Sequence, residues 1–397
     1  MMVSRATWFH LLLLSVVVFT VNYILPSDIN NWSLELNFSL QPLGENTLLA
    51  EEVAWRYADS EMGRRPLMIN LLYYGVWATG WSYIVVFILV QLVGYLGSTA
   101  AAIGLTKELS PDASPAATYL PFLLLFPQVF LFVAHAHTFD DLYQYLALIL
   151  TLLAVVRRRY VLGWLCLVAA CFIRETSVLY LPVVAYLLYR LADWRVLSSG
   201  LYVGTAAAAA AALLWLYLPT EQLEATVAFT QRRRFTAWAG NFSTGSRISE
   251  SLCLPVFILG PFLLLLRRHW REVTRGLIPR CFVHGFIALG LVNTLVVWVA
   301  ATAAEARLFM LPVFLILPVL APVWDRFGQR LNSLAVYWCR QDWFVLLFVI
   351  ALVQLLYHPT VGGTGYAFRA YAMGWTVGMY LLYRVRATSP PSPRLLD

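Results

Sequence analysis

Long apolar runs, separated by short polar segments, follow one another along almost the whole chain. A helix needs about 20 consecutive apolar residues to cross a bilayer, and twelve runs reach or approach that length. They predict spans at 6–25, 81–105, 119–134, 142–156, 160–173, 177–192, 199–218, 251–266, 281–303, 308–324, 343–357 and 371–385. Residues 66–80 are amphipathic, which predicts a helix along the membrane surface or an extension of the second span. The pattern predicts an all-α, polytopic transmembrane helical bundle of about 12 spans.

Basic and acidic residues separate between the predicted loops. If the N-terminus lies in the cytoplasm and the spans alternate, the cytoplasmic segments hold 18 of the 28 basic residues and the exterior segments hold 14 of the 21 acids. This is the positive-inside distribution. The predicted organisation is a single transmembrane domain over 1–385, with a long first exterior loop at 26–80, a second at 219–250 and no large soluble domain. Residues 386–397 are Pro/Ser-rich and predict a disordered cytoplasmic tail.

Composition supports the membrane class. The chain is 60% hydrophobic and 12% charged, whereas soluble domains are typically about 25% charged. This excludes an ordinary soluble domain and predicts an integral, multi-pass membrane protein. The net charge of +7 is explained by arginine in cytoplasmic loops, so it does not indicate a nucleic-acid partner.

The exterior segments of this topology repeatedly carry acids and arginines among aromatic residues. These candidates are Glu51, Glu52, Asp140, Asp141, Arg174, Glu175, Arg232, Arg233, Arg234, Glu305 and Arg307. Ionisable groups at membrane depth are costly, and they tend to be paired or functional. Arginine makes bidentate contacts with phosphate, and a carboxylate can act as a general base or hold a divalent metal. The set predicts an exterior site for an anionic, lipid-linked substrate and a polar acceptor.

Each candidate also has a purely structural interpretation. The alternatives are a solvated helix face for Glu51 and Glu52, caps of the next helix for Asp140 and Asp141, a local ion pair or cap for Arg174 and Glu175, an interfacial pair for Glu305 and Arg307, and lipid-headgroup contacts for Arg232, Arg233 and Arg234. Sequons for N-glycosylation at Asn31, Asn37 and Asn241 also fall on the exterior side. These interpretations stay open at the level of sequence.

Four segments carry a resemblance to a known superfamily. They are "LLAEEVAWRY", "TFDDLYQYLALILTLLAVVRRR", "FIRETSVLYLP" and "AEARLFMLPVFLILP". Together they resemble the GT-C superfamily, polytopic glycosyltransferases that take sugars from polyprenyl-phosphate donors on the non-cytoplasmic face. The acids at 51–52 lie farther from the first span than is usual in the family, and Asp28 lies nearer. Many members also have a soluble exterior domain, which the pattern of apolar runs does not predict here.

The resemblance implies a glycosyltransferase of the cell envelope, in the bacterial inner membrane, with its active site facing the periplasm. Its partners would be membrane lipid, a polyprenyl-phosphate-linked sugar donor and a glycan, lipid or protein acceptor. One of Glu51 and Glu52 would be the general base, and Asp140 or Asp141 would orient the acceptor or hold a metal. Arg174, Arg307 or the 232–234 run would bind the donor phosphate. No cofactor is required by the resemblance, and Mg or Mn stays an open alternative.

Other function classes fit parts of the pattern. An O-antigen-type glycan polymerase or ligase would use the arginines at 232–234 and need no base in the first loop. A transporter or flippase of lipid-linked substrates would carry ionisable residues inside its spans and broken helices. A non-catalytic assembly subunit would tolerate loss of every candidate charge. The scarcity of ionisable residues within the apolar runs favours the glycosyltransferase over the transporter.

Overall fold

The computed structural model describes residues 66–81, 83–114, 117, 140–217, 236–301 and 306–326, together with residues 344, 347 and 348. Every regular element in this part of the chain is helical, which confirms the predicted all-α class there. The α-helices are α1 (Pro66–Thr79), α2 (Tyr83–Leu109), α3 (Asp141–Val156), α4 (Tyr160–Ile173), α5 (Leu181–Leu191), α6 (Val196–Tyr217), α7 (Gly245–Val273), α8 (Leu277–Ala300) and α9 (Val313–Ile316). Two 3-10 helices lie at Glu175–Tyr180 and Ala306–Met310.

Four of these helices, α2, α6, α7 and α8, are long and apolar enough to cross a membrane, and α3 and α4 are shorter apolar helices. Their bounds lie near those of predicted spans, because the length of an apolar run determines both the predicted span and the observed helix. Several expose large apolar side chains, as Leu197 and Leu216 do on α6. These features indicate a membrane protein. The predicted spans 6–25, 119–134 and 371–385 lie outside the described residues, as does almost all of 343–357, so the count of about 12 stays a prediction.

Helices α2 and α3 pack closely and run parallel. A Cβ atom on Gly94 would lie 2.8 Å from the ring of Tyr143, and one on Gly104 would lie 3.2 Å from the side chain of Leu153. Residue numbers therefore rise in the same direction along both helices, and glycine permits the close approach. The Tyr143 hydroxyl also donates to the Val90 carbonyl at 2.6 Å. A parallel pair is what the alternating topology requires of the second and fourth predicted spans.

Helices α4 and α6 are parallel as well. The Tyr202 hydroxyl donates to the Tyr160 carbonyl at 2.6 Å, and Trp164 Nε1 donates to Thr205 Oγ1 at 3.1 Å. The two contacts advance in the same direction along both helices. The topology predicts this direction for the fifth and seventh spans, which both leave the same side of the membrane.

Helices α7 and α8 form an antiparallel pair. Trp298 Nε1 donates to the Ser251 carbonyl at 2.8 Å, while the rings of Phe262 and Phe286 pack edge to face with centroids 6.5 Å apart. Going from one contact to the other, the residue number falls along α8 while it rises along α7, so the two helices run in opposite directions. The eighth and ninth predicted spans have this relation, so the directions of the described helices agree with the predicted alternation.

The three short turns at 157–159, 192–195 and 274–276 lie at one end of the bundle, which we call the basic end. Two ion pairs bring further elements to this end. Arg157 contacts Glu108 near the end of α2 at 2.8 Å, and Arg326, at the end of the 306–326 segment, contacts Glu272 at 2.6 Å. The basic residues at this end are Lys107, Arg157, Arg158, Arg159, Arg190, Arg195, Arg267, Arg268, Arg271, Arg275, Arg280 and Arg326. We call the opposite end, where α3 begins and α4 ends, the site end. Basic residues are therefore concentrated at one end of the described bundle, whereas acids occur at both ends, with Glu108 and Glu272 paired at the basic end.

Residues 306–326 cross the bundle as a broken segment, not as the continuous helix predicted at 308–324. The 3-10 helix gives way to the short α9, then to turns at 317–320 and a last helical stretch at 321–326. Pro312, Pro318 and Pro322 interrupt the run, because proline lacks an N–H donor and collides with the preceding helical turn. Side chains from 309 to 321 are buried. Irregular backbone at membrane depth is tolerated where protein encloses it.

Helix α1 is separate from α2, which excludes the predicted extension of the second span through residues 66–80. Gly80 ends it with a φ of +68°, a conformation that glycine adopts readily. A Cβ atom on Gly75 would lie 2.8 Å from Val86 Cγ1, so α1 folds back against the start of α2. Residues 66–79 are therefore a helix of their own and do not extend the second span.

Candidate functional site

A buried ion pair joins the start of α3 to the end of α4 at the site end. The guanidinium of Arg174 contacts the carboxylate of Asp141, and their side chains are 5% and 0% exposed. Arg174 terminates α4 in an extended conformation, and Asp141 is the first residue of α3. The tight turn at 157–159 makes α3 and α4 an antiparallel hairpin, so residues 33 positions apart along the chain meet there.

Asp140 is a second buried carboxylate beside the pair, with 1% of its surface exposed. It occupies the N-cap position of α3, but its side chain makes no cap hydrogen bond. The capping interpretation therefore describes the position of Asp140 and not the use of its carboxylate. The positive end of the α3 dipole favours negative charge at both acids, and the Arg174 cation adds to it. The site end thus holds two buried carboxylates next to the N-terminus of α3 and the Arg174 cation.

A hydrogen-bonded layer lies one helical turn below the ion pair. The Gln144 amide donates to Thr176 Oγ1 and to Ser177 Oγ, both at 2.9 Å. The Ser177 hydroxyl in turn donates to the Ala170 carbonyl at 2.8 Å. Residues three apart share one helix face, so Gln144 lies beneath Asp141. These bonds fix the 3-10 helix that follows Arg174 against α3.

Two further hydrogen bonds hold the segment that follows α8 at the same end. The Tyr180 hydroxyl donates to the Leu311 carbonyl at 2.6 Å, and the Asn293 amide donates to the Leu308 carbonyl at 2.7 Å. Tyr180 is the last residue of the 3-10 helix that begins beside Arg174. The backbone position of Arg307, directly before Leu308, is therefore fixed at the site end.

The structure brings together one part of the predicted set. Asp140, Asp141, Arg174 and the backbone of Arg307 share the site end. Glu175 is exposed at the first position of its 3-10 helix, and the ion pair of Arg174 reaches across to α3. The predicted residues Glu51, Glu52, Arg232, Arg233, Arg234 and Glu305 lie outside the described residues, and their roles stay predictions.

Sequence reasoning missed the neutral polar residues that hold the site together. Gln144, Ser177, Tyr180 and Asn293 are all buried and all bond across elements. The signal was present in two places: Gln144 follows Asp141 by three residues, and Asn293 interrupts an apolar run. A buried amide must be hydrogen-bonded, so such interruptions indicate a fixed contact even when its partner is unknown.

Asn241 has a structural use that conflicts with its sequon. Its side chain is buried, and Nδ2 donates to the carbonyls of Trp298 at 3.0 Å and Ala301 at 2.8 Å. These carbonyls belong to the last turn of α8 and to its C-cap residue Ala301, where no intrahelical donor is available. Asn241 therefore closes the C-terminus of α8, and its amide nitrogen is committed in the folded protein.

We expect Asn241 to carry no glycan after expression in a glycosylating host, and Asn241→Asp to destabilise the fold. The aspartate would face two carbonyls without a donor and would put negative charge at a helix C-terminus. The expected loss is about 2–4 kcal/mol, because two buried acceptors are left unpaired. Peptide mass mapping and denaturant titration in micelles measure both effects. Full occupancy of Asn241 in folded protein, with Asn241→Asp as stable as wild type, would contradict this assignment.

Within the described part of the chain, no group of three or more His, Cys, Asp or Glu side chains is placed to hold a metal ion. At Asp141 the positive charge comes from Arg174, whose guanidinium takes the position next to the carboxylate that a divalent cation would use. The predicted alternative of Mg or Mn involves acids outside the described residues, and it stays a prediction.

Comparisons with protein-family models, with curated proteins and with solved structures found no match to this chain. The function of this protein is therefore inferred from the geometry of the site end and from the four sequence segments that resemble the GT-C pattern. Three of those segments contain residues of the described site end: Asp140 and Asp141, Arg174, and the backbone at 306–311.

Proposed function

We propose that this protein is a GT-C-type membrane glycosyltransferase that moves a sugar from a polyprenyl-phosphate donor to a glycan, lipid or protein acceptor. The observation that carries the proposal is the Asp141–Arg174 ion pair, buried beside Asp140 at the end of the bundle opposite the arginine-rich turns. Membrane proteins keep buried charges chiefly where they are paired and used. The described helices belong to a bundle of about 12 spans in this proposal.

The concentration of arginine at the basic end supports a site outside the cytoplasm, at the opposite end of the bundle. Arginine-rich turns face the cytoplasm in membrane proteins, and here they form the basic end. The site end would then face the periplasm of a bacterial inner membrane, where polyprenyl-linked sugars serve envelope glycan synthesis. The proposed location follows from this charge distribution.

The proposed reaction is a displacement at the anomeric carbon of the sugar. Glu51 or Glu52 accepts the proton of the acceptor hydroxyl as its oxygen forms the new glycosidic bond. The bond between the anomeric carbon and the phosphate oxygen breaks, and the polyprenyl phosphate leaves with the electron pair. Fixed cations stabilise the charge that develops on the leaving phosphate. Arg307 and the 232–234 run have this role in the proposal.

Arg174 has a different role from these arginines. Its guanidinium is buried and already contacts Asp141, so a donor phosphate could reach it only after the pair opened. We therefore assign Arg174 to pairing with Asp141 and orienting its carboxylate. Asp141 and Asp140 are buried as well, so we assign them to positioning: they fix the start of α3, beside which the acceptor is oriented.

The broken segment at 306–326 is the observation that favours a transporter, because discontinuous helices are common in transporters. Its sequence from Leu308 to Trp324 contains no ionisable residue, and three prolines account for the breaks. A pathway for a phosphate-bearing lipid needs charged or polar partners along its length. The segment is better explained as an enclosed packing element, and the transporter is the second candidate.

Single substitutions of Glu51, Glu52, Asp140 and Asp141 by alanine test the proposal. Sugar transfer from polyprenyl-phosphate donors is measured in proteoliposomes, with folding checked by size-exclusion chromatography. We expect at least one acid of each pair to lose about 10²-fold or more of the transfer rate. Glu108→Ala, an exposed acid at the basic end, is the matched control and should keep its rate.

Three outcomes would overturn the proposal. Full transfer by all four alanine variants would exclude the assigned acids. Transfer only from lipid-pyrophosphate donors would favour the glycan polymerase or ligase. Movement of the lipid-linked sugar across the membrane without transfer would favour the flippase.

A further inference from the structure

Residues 267–280, the end of α7, the turn at 274–276 and the start of α8, concentrate exposed positive charge. Their arginines, all exposed, are Arg267, Arg268, Arg271, Arg275 and Arg280. The acid in this stretch is Glu272, which already contacts Arg326 at 2.6 Å and the ring of His269 at 3.4 Å. Within the described residues, none of the five arginines contacts a carboxylate. We call this surface the arginine turn.

Ordinary helix electrostatics explains only part of the arginine turn. Cations are favourable in the last turn of α7, where Arg271 lies, because the helix dipole is negative there. Arg280, however, lies in the first turn of α8, where the dipole is positive and a cation is unfavourable. Arg267, Arg268 and Arg271 also lie within five positions of the chain, and exposed like charges that are this close repel. An anion bound between α7 and α8 would relieve both repulsions.

The arginine turn lies where the apolar surface of the helices ends. Leu263 and Leu264 on α7 and Leu277 on α8 are exposed apolar side chains next to it, and Trp270 is exposed among the arginines. Tryptophan is enriched at the boundary between acyl chains and headgroups. The backbone at His269 departs from helical geometry, with φ −111° and ψ 21°, which breaks the regular helix immediately before Trp270. The surface therefore combines an acyl-chain contact with cations at headgroup depth.

We propose that the arginine turn binds the phosphodiester headgroup of an anionic membrane lipid, bridging the end of α7 and the start of α8. Charge complementarity and continuity with the apolar surface both favour a lipid over a soluble anion. Exposed arginines without acidic partners bind phosphate through paired N–H donors. The proposal does not depend on the glycosyltransferase assignment, since it involves the other end of the bundle.

The test compares two triple variants of the full chain with the same change in charge. Arg267→Gln/Arg268→Gln/Arg271→Gln removes three cations from the arginine turn. The control is Arg158→Gln/Arg159→Gln/Arg195→Gln, which removes three exposed cations from the other basic turns. Each protein is placed in detergent with phosphatidylglycerol or phosphatidylcholine, and bound lipid is counted by native mass spectrometry. Arg275→Gln/Arg280→Gln is a second variant that keeps the test decisive if the first one misfolds.

We expect wild type to retain phosphatidylglycerol in preference to phosphatidylcholine. Removal of three cations from the arginine turn should weaken phosphatidylglycerol binding about tenfold or more, since each cation near an anionic lipid adds to the affinity. The control should stay within about twofold of wild type. Equal losses in both triple variants would show a general surface potential and overturn the proposal. Displacement of the lipid by an equal concentration of inorganic phosphate would also overturn it, in favour of a soluble anion.

Discussion

Replacing Arg174 with glutamine is expected to destabilise the folded protein by about 3–5 kcal/mol. The substitution leaves the Asp141 carboxylate buried beside Asp140 without its cation, and an uncompensated buried charge carries a penalty of this size. Unfolding in mixed micelles, titrated with sodium dodecyl sulfate and followed by tryptophan fluorescence, measures the loss. The effect should exceed that of any single surface charge substitution.

A double substitution and a surface control make this result specific. Asp141→Asn/Arg174→Gln removes both charges and keeps similar volume, so it should recover most of the stability that Arg174→Gln loses. Arg157→Gln breaks the ion pair with Glu108, in which Arg157 is 41% exposed, and should cost below about 1 kcal/mol. If Arg174→Gln destabilised the protein no more than Arg157→Gln does, the pair would not be the buried element described above.

Loss of the two hydrogen bonds to the 306–311 segment is expected to reduce sugar transfer about 10²-fold. Tyr180→Phe and Asn293→Leu together leave the carbonyls of Leu311 and Leu308 without these donors and release the backbone around Arg307. Small displacements of a positioning group can cost this much in rate. The expected change is in kcat at saturating donor, measured in proteoliposomes, and each lost bond should also lower stability by about 1–3 kcal/mol.

Tyr202→Phe is the matched control for the single substitution Tyr180→Phe. It removes a hydroxyl-to-carbonyl bond of the same length, 2.6 Å to Tyr160, at the basic end. A similar loss of stability with an unchanged kcat would separate positioning at the site end from general stability. If Tyr202→Phe reduced transfer as strongly as Tyr180→Phe, the hydrogen bonds to the 306–311 segment would have no specific function in the reaction.

The order and direction of the described helices could be predicted from the sequence because two physical rules act on them together. Apolar length selects the spans, and arginine in the turns sets their alternation. The parallel pairs α2–α3 and α4–α6 follow from that alternation. The segment at 308–324 could not be predicted by length alone, because Pro312, Pro318 and Pro322 break an otherwise continuous apolar run. Counting prolines beside hydropathy would have identified it.

The site could be predicted only to the level of which residues share an end. The topology placed Asp140, Asp141 and Arg174 on one side of the membrane, but it did not say which acid meets the arginine. Successive residues on a helix point about 100° apart, so packing of α3 against α4 makes that choice, and packing is not readable from one sequence. The contacts of Gln144 and Asn293 join residues on different elements. They could not be predicted either, because they also depend on how those elements pack.

The rate of sugar transfer by the folded Asp141→Asn/Arg174→Gln variant measures whether the buried ion pair takes part in the reaction. This variant keeps the volume of the pair and recovers the stability that the single substitution loses, so misfolding does not account for its rate. With polyprenyl-phosphate-linked sugar as donor, we predict that purified wild type transfers sugar and that the variant transfers it about 10²-fold more slowly. Transfer by the variant at the wild-type rate would contradict the account, because the buried charges at the site end would then have no part in the reaction.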